Sequence, residues 1–123
     1  MREFIIPGRF VGLNEYTSAC RTSYRVGAKL KKEQQLIALR AIEAADLRPI
    51  RCKVDISFIW IEPNMRRDHD NVAFAKKFIL DALVEAGVLE NDDSRHVGNF
   101  ADYFMVNKNY PRVEVRLEPT DEY

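Results

Sequence analysis

The chain has 123 residues, of which 46% are hydrophobic, enough for one ordinary globular domain with its own core and little more. Its 19 basic and 19 acidic side chains cancel, which excludes a uniformly basic nucleic-acid coat. The charges are unevenly placed, however: residues 1–77 carry 15 Lys/Arg against 9 Asp/Glu (+6), and residues 78–123 carry 4 against 10 (−6), so a fold can still separate a basic face from an acidic patch.

Glu3–Ile6 reads as a short strand closed by Pro7-Gly8. Nothing in this opening segment follows the order of a signal peptide, and no apolar run anywhere approaches the ~18 residues of a membrane span, so a cytoplasmic protein with no membrane partner is expected. Residues 9–24, with Asn14, Thr17, Ser18, Thr22 and Ser23, read as a long loop, a form that more often binds than packs. From Val26 to Leu47 the Ala, Leu, Lys, Glu and Gln content predicts a helix, with Val26, Leu30, Ile37, Ala41 and Ala44 as its inner stripe. Cys20 and Cys52 have neither zinc nor disulfide-framework spacing and are expected to be reduced, Cys52 packing as a small apolar residue.

Lys53–Trp60 alternates, placing Val54, Ile56, Phe58 and Trp60 on one face of a half-buried strand that Pro63-Asn64 ends. Val72, Ala75, Ile79, Ala82, Leu83 and Ala86 then mark a helix over 70–86, stopped by Gly87. Beyond an acidic turn at 90–94, residues 96–106 and 112–118 read as strands, the last with Val113, Val115 and Leu117 inward and Arg112, Glu114, Arg116 and Glu118 outward. Residues 119–123 read as a flexible tail. The order predicts a single α+β domain over 1–123, with a small mixed sheet and helices packed on one face.

The chemistry concentrates in Arg66-Arg67-Asp68-His69-Asp70-Asn71, at the mouth of the second helix, and in Glu90-Asn91-Asp92-Asp93 beyond it. Asp68 and Asp70, two residues apart in an extended lead-in, point to the same side, and Asp70 also meets the positive helix terminus. Asp92 and Asp93 join them if the chain runs back alongside the helix. Carboxylates gathered at ~5 Å repel by about 3 kcal/mol per pair at an effective dielectric near 20, and so call for a cation. An all-oxygen set favours Mg²⁺, with Mn²⁺ as a substitute, over Zn²⁺. Such an ion activates water and polarises a phosphoryl oxygen, which is the chemistry of phosphodiester hydrolysis. Arg66 and Arg67 suit neighbouring phosphates, and Lys76 or Lys77 suits the charge that builds on the scissile one. Lys77 is favoured, because seven residues after Asp70 it returns to nearly the same helix face.

Each piece also has a plainer reading. Asp70-Asn71 is a good helix N-cap, Lys77 and Asp81 an ordinary i, i+4 pair, Asp92-Asp93-Ser94 an ordinary turn, and Asn14 an ordinary turn residue. His69 and His96 are each lone, and Lys29, Lys31 and Lys32 suit a solvated helix face.

Taken in order, Arg66-Arg67-Asp68-His69-Asp70-Asn71, then Asp81-Ala82-Leu83 with Ala86-Gly87, then Asp92-Asp93, resemble the signature of the RusA family of Holliday-junction resolvases. The likeness is close over residues 66–97 and looser elsewhere, where an N-terminal strand, an asparagine-bearing loop at Leu13-Asn14-Glu15, a helix and an alternating strand precede the motif. It implies a RusA-like fold and a Mg²⁺-dependent homodimeric endonuclease that nicks four-way junction DNA symmetrically in recombination and repair. Asp68, Asp70 and Asp93 are implied as the catalytic and metal-binding carboxylates, with Asp92 close behind, and Asn14 joins Arg66, Arg67 and Lys76 as an expected DNA contact. The family's helix lysine departs from its pattern here: Phe74 stands four residues after Asp70, and counting back from Asp81-Ala82-Leu83 assigns the role to Lys77. An insertion of about three residues moves a side chain about one helical turn and roughly keeps its face. Phe74 and Phe78, off the main stripe, are candidates for the dimer interface, with packing beneath the sheet as the alternative. Two other functions fit the same residues: a non-catalytic junction- or DNA-binding module, and a Mg²⁺-dependent nucleotide pyrophosphohydrolase.

Overall fold

Alternation along the strands fixes which face of the sheet is covered. The computed structural model describes residues 2–120. Within them β1 (Arg2–Pro7), β2 (Val54–Glu62), β3 (Val97–Val106) and β4 (Arg112–Pro119) form one four-stranded sheet in the order β1-β4-β2-β3. β2 and β3 are parallel and the other pairs antiparallel, so the sheet is mixed. Phe4, Val115 and Phe58 lie abreast in one row, Ile6, Val113 and Trp60 in the next, and all six are buried beneath the helices. The opposite face carries Glu3, Ile5, Glu114, Arg116 and Tyr103 and stays open. Every inward residue expected on the second and last strands is on the inward face.

Four helices among the described residues complete the fold: α1 (Leu13–Thr22), α2 (Tyr24–Ala45), α3 (His69–Ala73) and α4 (Lys76–Glu85). None is long and apolar enough to cross a membrane. α1 replaces most of the expected loop. Its Asn, Thr and Ser residues are weak helix formers, but tertiary contacts override that preference. Tyr16 packs against the rings of Phe74 and Phe78, and Glu15 pairs with Arg67.

α2 is rotated by about one residue from its expected stripe. Gly27, Gln34, Ala38 and Ile42 face inward, while Val26 and Ile37 are 44% and 39% exposed. The buried Gln34 is satisfied, accepting from the Val11 N–H at 2.9 Å. Gly27 is required by close approach, since a Cβ there would come within 2.7 Å of the Cys20 Sγ.

The expected helix over 70–86 is two helices. At the joint, the N–H groups of Ala75, Lys77 and Phe78 bond three residues back, to Val72, Phe74 and Ala75, so the chain tightens into a 3₁₀-like turn. Gly87, in the left-handed region at φ 75°, ends α4 as expected. Phe78 is 2% exposed and so serves packing, whereas Phe74 is partly buried, resting on the core with the rest of its surface open. Of the expected flexible tail, Pro119 ends β4 opposite Val54 and Thr120 donates its N–H to the Lys53 carbonyl at 2.9 Å. Residues 121–123 lie outside the described residues. Cys20 and Cys52 are both free thiols, and Cys52 packs against the core.

Candidate functional site

The segment from β2 into α3 leaves the carboxyl end of one parallel strand and opens a helix, the usual position for a ligand cleft in sheets of this kind. After Pro63, the Asn64 Oδ1 accepts the Arg66 N–H at 3.0 Å and turns the chain. Arg67 is then drawn back onto the body of the protein. Its Nη1 donates to the Phe10 carbonyl at 2.9 Å and its Nη2 to Glu15 Oε1 at 2.6 Å. Arg66 remains exposed, with no side-chain partner among the described residues.

Asp68 is the N-cap residue of α3, yet its carboxylate makes no capping bond. Asp70 follows in the first turn. Both are exposed, and among the described residues neither carboxylate has a hydrogen-bond or ion-pair partner. The capping reading applies instead to Asn71 and to a different helix. Its Oδ1 accepts the Asn14 N–H at 3.0 Å and so holds the first turn of α1. Gly12 permits this, because a Cβ there would stand 2.8 Å from the Asn71 Oδ1. Asn14 therefore belongs to a helix, beside the Asp68 segment, and not to a loop.

Beside Asp68 lies a cleft of about 710 Å³, lined also by Met65, His69, Phe104, Met105 and Val106. The His69 imidazole lies flat on the Phe104 ring, with centroids 3.7 Å apart and planes 1° from parallel. At the rim, Glu62 is held by Arg9 through contacts of 2.7 and 3.3 Å.

The two helix lysines have separate environments. Lys76 donates to Asp102 Oδ2 at 2.6 Å and lies over the rings of Phe58 and Phe100. Asp102 also accepts the Trp60 indole N–H at 2.8 Å. Lys76, expected as a DNA contact, is thus engaged in an internal network. Lys77 is more exposed and bridges Asp81 at 2.9 Å and Asp92 at 3.1 Å. These hydrogen bonds, Asp81's first and then Asp92's, raise the ammonium above its ordinary value and keep it charged throughout the neutral range.

The tightened joint bears on Lys77's direction. A 3₁₀ step turns about 120° against about 100° in an α-helix, so about three such steps shift Lys77 by about 60° and leave it roughly 40° from Asp70's face, with the ammonium turned to Asp81 and Asp92.

Asp93 accepts from His96 Nδ1 at 2.6 Å and from the Arg95 N–H at 3.1 Å. The His96 bond is the larger cause holding its carboxyl below the ordinary range. The acidic turn does run back along α4, as expected, but it meets Lys77. Among the described residues no three His, Cys, Asp or Glu side chains form a group able to hold a metal, so Asp68, Asp70, Asp92 and Asp93 are not preassembled as the gathering expected about one ion. The expected extended lead-in is helical from His69 on, so Asp70 stands two residues past the N-cap Asp68 and the shared side expected of the pair does not follow from the backbone. Mg²⁺ keeps several waters and takes one or two carboxylates together with substrate phosphate oxygens, so the exposed carboxylate of Asp68 on the cleft remains suited to it.

Asp102 was not anticipated. Its signal was available, as the lone charged residue of an otherwise uncharged strand, placed between Phe100 and Phe104 on the inward alternation. No family model matches the chain, and no curated protein does either.

Proposed function

We propose that the chain is a Mg²⁺-dependent endodeoxyribonuclease that acts on four-way DNA junctions as a homodimer. One observation carries this reading: Asp68 and Asp70 stand exposed and unpartnered at the mouth of α3, Asp68 on the wall of a cleft and next to an exposed Arg66. Two carboxylates left without partners at a helix terminus are available to a hard cation, and the guanidinium beside them suits a phosphodiester.

Within this reading Asp68 and Asp70 hold the ion, and Mn²⁺ substitutes for it. When bound, the ion supplies activated water and charge stabilisation at the scissile phosphate. Arg66 binds a flanking phosphate. Arg67 fixes the approach of α1 and the arrangement of the segment, because its guanidinium is occupied by Phe10 and Glu15. Lys77, kept cationic by its two carboxylates, offers charge to the departing side of the phosphate and does not act as a base.

Dimerisation has a physical place as well. β3 is an edge strand of 10 residues containing no Lys, Arg or Pro, the residues that usually protect such edges. Pairing with a second copy across a two-fold axis extends the sheet and sets two clefts in matched orientation for two cuts. Sedimentation of the wild type against Tyr103→Lys, which places a charge on that edge, separates a dimer from a monomer.

Cleavage of a mobile four-way junction, a flap and a linear duplex across a Mg²⁺ titration tests the function. The junction is expected to be cut preferentially, and Asp70→Asn is expected to slow cutting by about 100-fold or more. Equal rates for that variant and the wild type would remove Asp70 from the site. A second reading, a non-catalytic junction-binding module, draws support from the engagement of Asp92 and Asp93 by Lys77 and His96. Tight junction binding without nicking at any Mg²⁺ or Mn²⁺ concentration decides for it.

A further inference from the structure

We propose that the cleft beside Asp68 binds one unstacked nucleobase of a DNA strand, with His69 as its stacking platform and Met65 as the wedge that holds it out of its stack. The inference deepens the proposed function and rests on it for the choice of DNA as ligand.

Three observations converge. The first is the platform. Phe104 covers one face of the His69 ring at 3.7 Å, while His69 itself is exposed, so the imidazole is held flat with an outer face toward the cleft. A ring pre-ordered in this way receives a planar base with little further loss of freedom, and base stacking of this kind tolerates any sequence.

The second is Met65, 87% exposed on the loop that enters α3. An unbranched apolar side chain held in water has no role in the core, and in DNA-bending proteins such residues insert between base steps and unstack them. Its neighbours supply the complementary charge: Arg66 has a guanidinium free for the phosphate that flanks the displaced base.

The third is the shape and chemistry of the space. About 710 Å³ is within the usual range of roughly 300–1,000 Å³ for small-ligand clefts. Its walls from Met105 and Val106 are apolar, and Asn64, whose Oδ1 is taken by the Arg66 N–H, keeps its amide N–H groups for a base edge. The occupant is therefore flat, partly apolar, carries acceptors at its edge and is tethered to an anion, which is a description of a nucleotide within a strand. Unstacking is easiest where arms meet, so such a site explains how a small nuclease would favour branch points over duplex.

The test separates bases from phosphates. The full chain is titrated, without divalent metal, against oligothymidylate and against the abasic oligomer of equal length, which carries the same charge. The wild type is expected to bind oligothymidylate about 10-fold more tightly or better. His69→Ala and Met65→Ala are expected to bring that ratio close to one, and His69→Phe, which keeps an aromatic ring and removes the ring nitrogens, to preserve it. Both positions are exposed, so folding is not at stake, and a matching urea midpoint for each variant verifies this. Equal affinity of the wild type for the two oligomers overturns the proposal, as does an unchanged ratio in both alanine variants. Junction cleavage is read separately: a chain that prefers bases yet never cuts sinks the nuclease reading and leaves the base site standing, whereas a chain that cuts junctions with no preference for bases sinks the base site alone.

Discussion

Lys77 Nζ lies 3.1 Å from Asp92 Oδ2, and this contact ties the acidic turn that precedes β3 back to the first turn of α4. The same ammonium reaches Asp81 at 2.9 Å, so one cation spans two carboxylates from separate segments. Its side chain is 59% exposed, which limits what the pairing adds to stability.

Lys77→Met is accordingly expected to cost only about 0.5 kcal/mol in urea denaturation, diminishing with added salt. Its effect on junction cleavage is expected to be much larger, about 10-fold or more, because a cation near the scissile phosphate is lost. The sign of the pH effect follows from the raised ammonium value. Lys77's contribution is complete below its unfolded value of 10.5 and is lost as pH rises through the higher folded value. No lysine titration is therefore expected in the rate profile across the neutral range. A rate that falls with Lys77 deprotonation near pH 8 would contradict its role as a fixed cation.

Lys76, the other lysine of α4, contacts Asp102, and this contact is the more structural. Their side chains are 21% and 26% exposed, and Asp102 also accepts from Trp60. Asp102→Ala leaves the indole N–H and the ammonium without that acceptor and is expected to cost about 1–3 kcal/mol in urea. The chain has a single tryptophan, so its emission reports the change directly and should shift in this variant. Lys76→Met keeps the stem between Phe58 and Phe100 and is expected to cost less. Junction affinity that drops sharply in Lys76→Met, with stability unchanged, would return Lys76 to the DNA surface.

Gly12 and Asn71 form a dependency between α1 and α3 that a double substitution resolves. Gly12→Ala puts a Cβ 2.8 Å from the Asn71 Oδ1 and dislodges the group that holds the Asn14 N–H. The loss is expected to be about 1 kcal/mol, the usual cost of a helix cap. Asn71→Ala loses the same cap and vacates the space, so adding Gly12→Ala to it should cost little more. Full additivity of the two in thermal or urea unfolding would show that they act independently.

The sheet was legible because alternation is a local signal: Val54, Ile56, Phe58 and Trp60 need only a period of two to be assigned one face. α1 was not, since its helicity depends on Asn71, Arg67 and two phenylalanines more than 50 residues away in sequence. The stripe of α2 was ambiguous because Leu and Ile recur on several sides of it, leaving Gln34, a polar residue, among the buried positions. That Asp68 and Asp70 open a helix was legible from their place ahead of an apolar stripe; that the helix begins at His69 and takes in Asp70 was not. Nor was the fate of Asp92 and Asp93, because their partners, Lys77 and His96, are chosen by how the turn after α4 folds back, which has no periodic signal.

Asp93 and His96 carry the last prediction, which concerns acid. His96 Nδ1 stands 2.6 Å from Asp93 Oδ1, and this hydrogen bond, ahead of the one from the Arg95 N–H, favours the ionised carboxylate. A carboxyl whose folded value is depressed contributes stability above its unfolded value of 3.8, and loses that contribution as pH falls through the lower folded value. Asp93→Asn removes the titrating group while retaining an amide oxygen that can accept the same bonds. The variant is therefore expected to be less stable than wild type at neutral pH and to lose less on acidification below about pH 4, so that the two stability curves converge. The turn is solvent-exposed, which makes hydrogen exchange at the amides of Arg95 and His96 a more sensitive measure than global unfolding. If wild type and Asp93→Asn show parallel exchange rates from neutral to acid pH, the bond to His96 does not organise this turn. If junction cleavage by Asp93→Asn also matches wild type, the carboxylate has no part in the reaction, and the ion is left to Asp68 and Asp70.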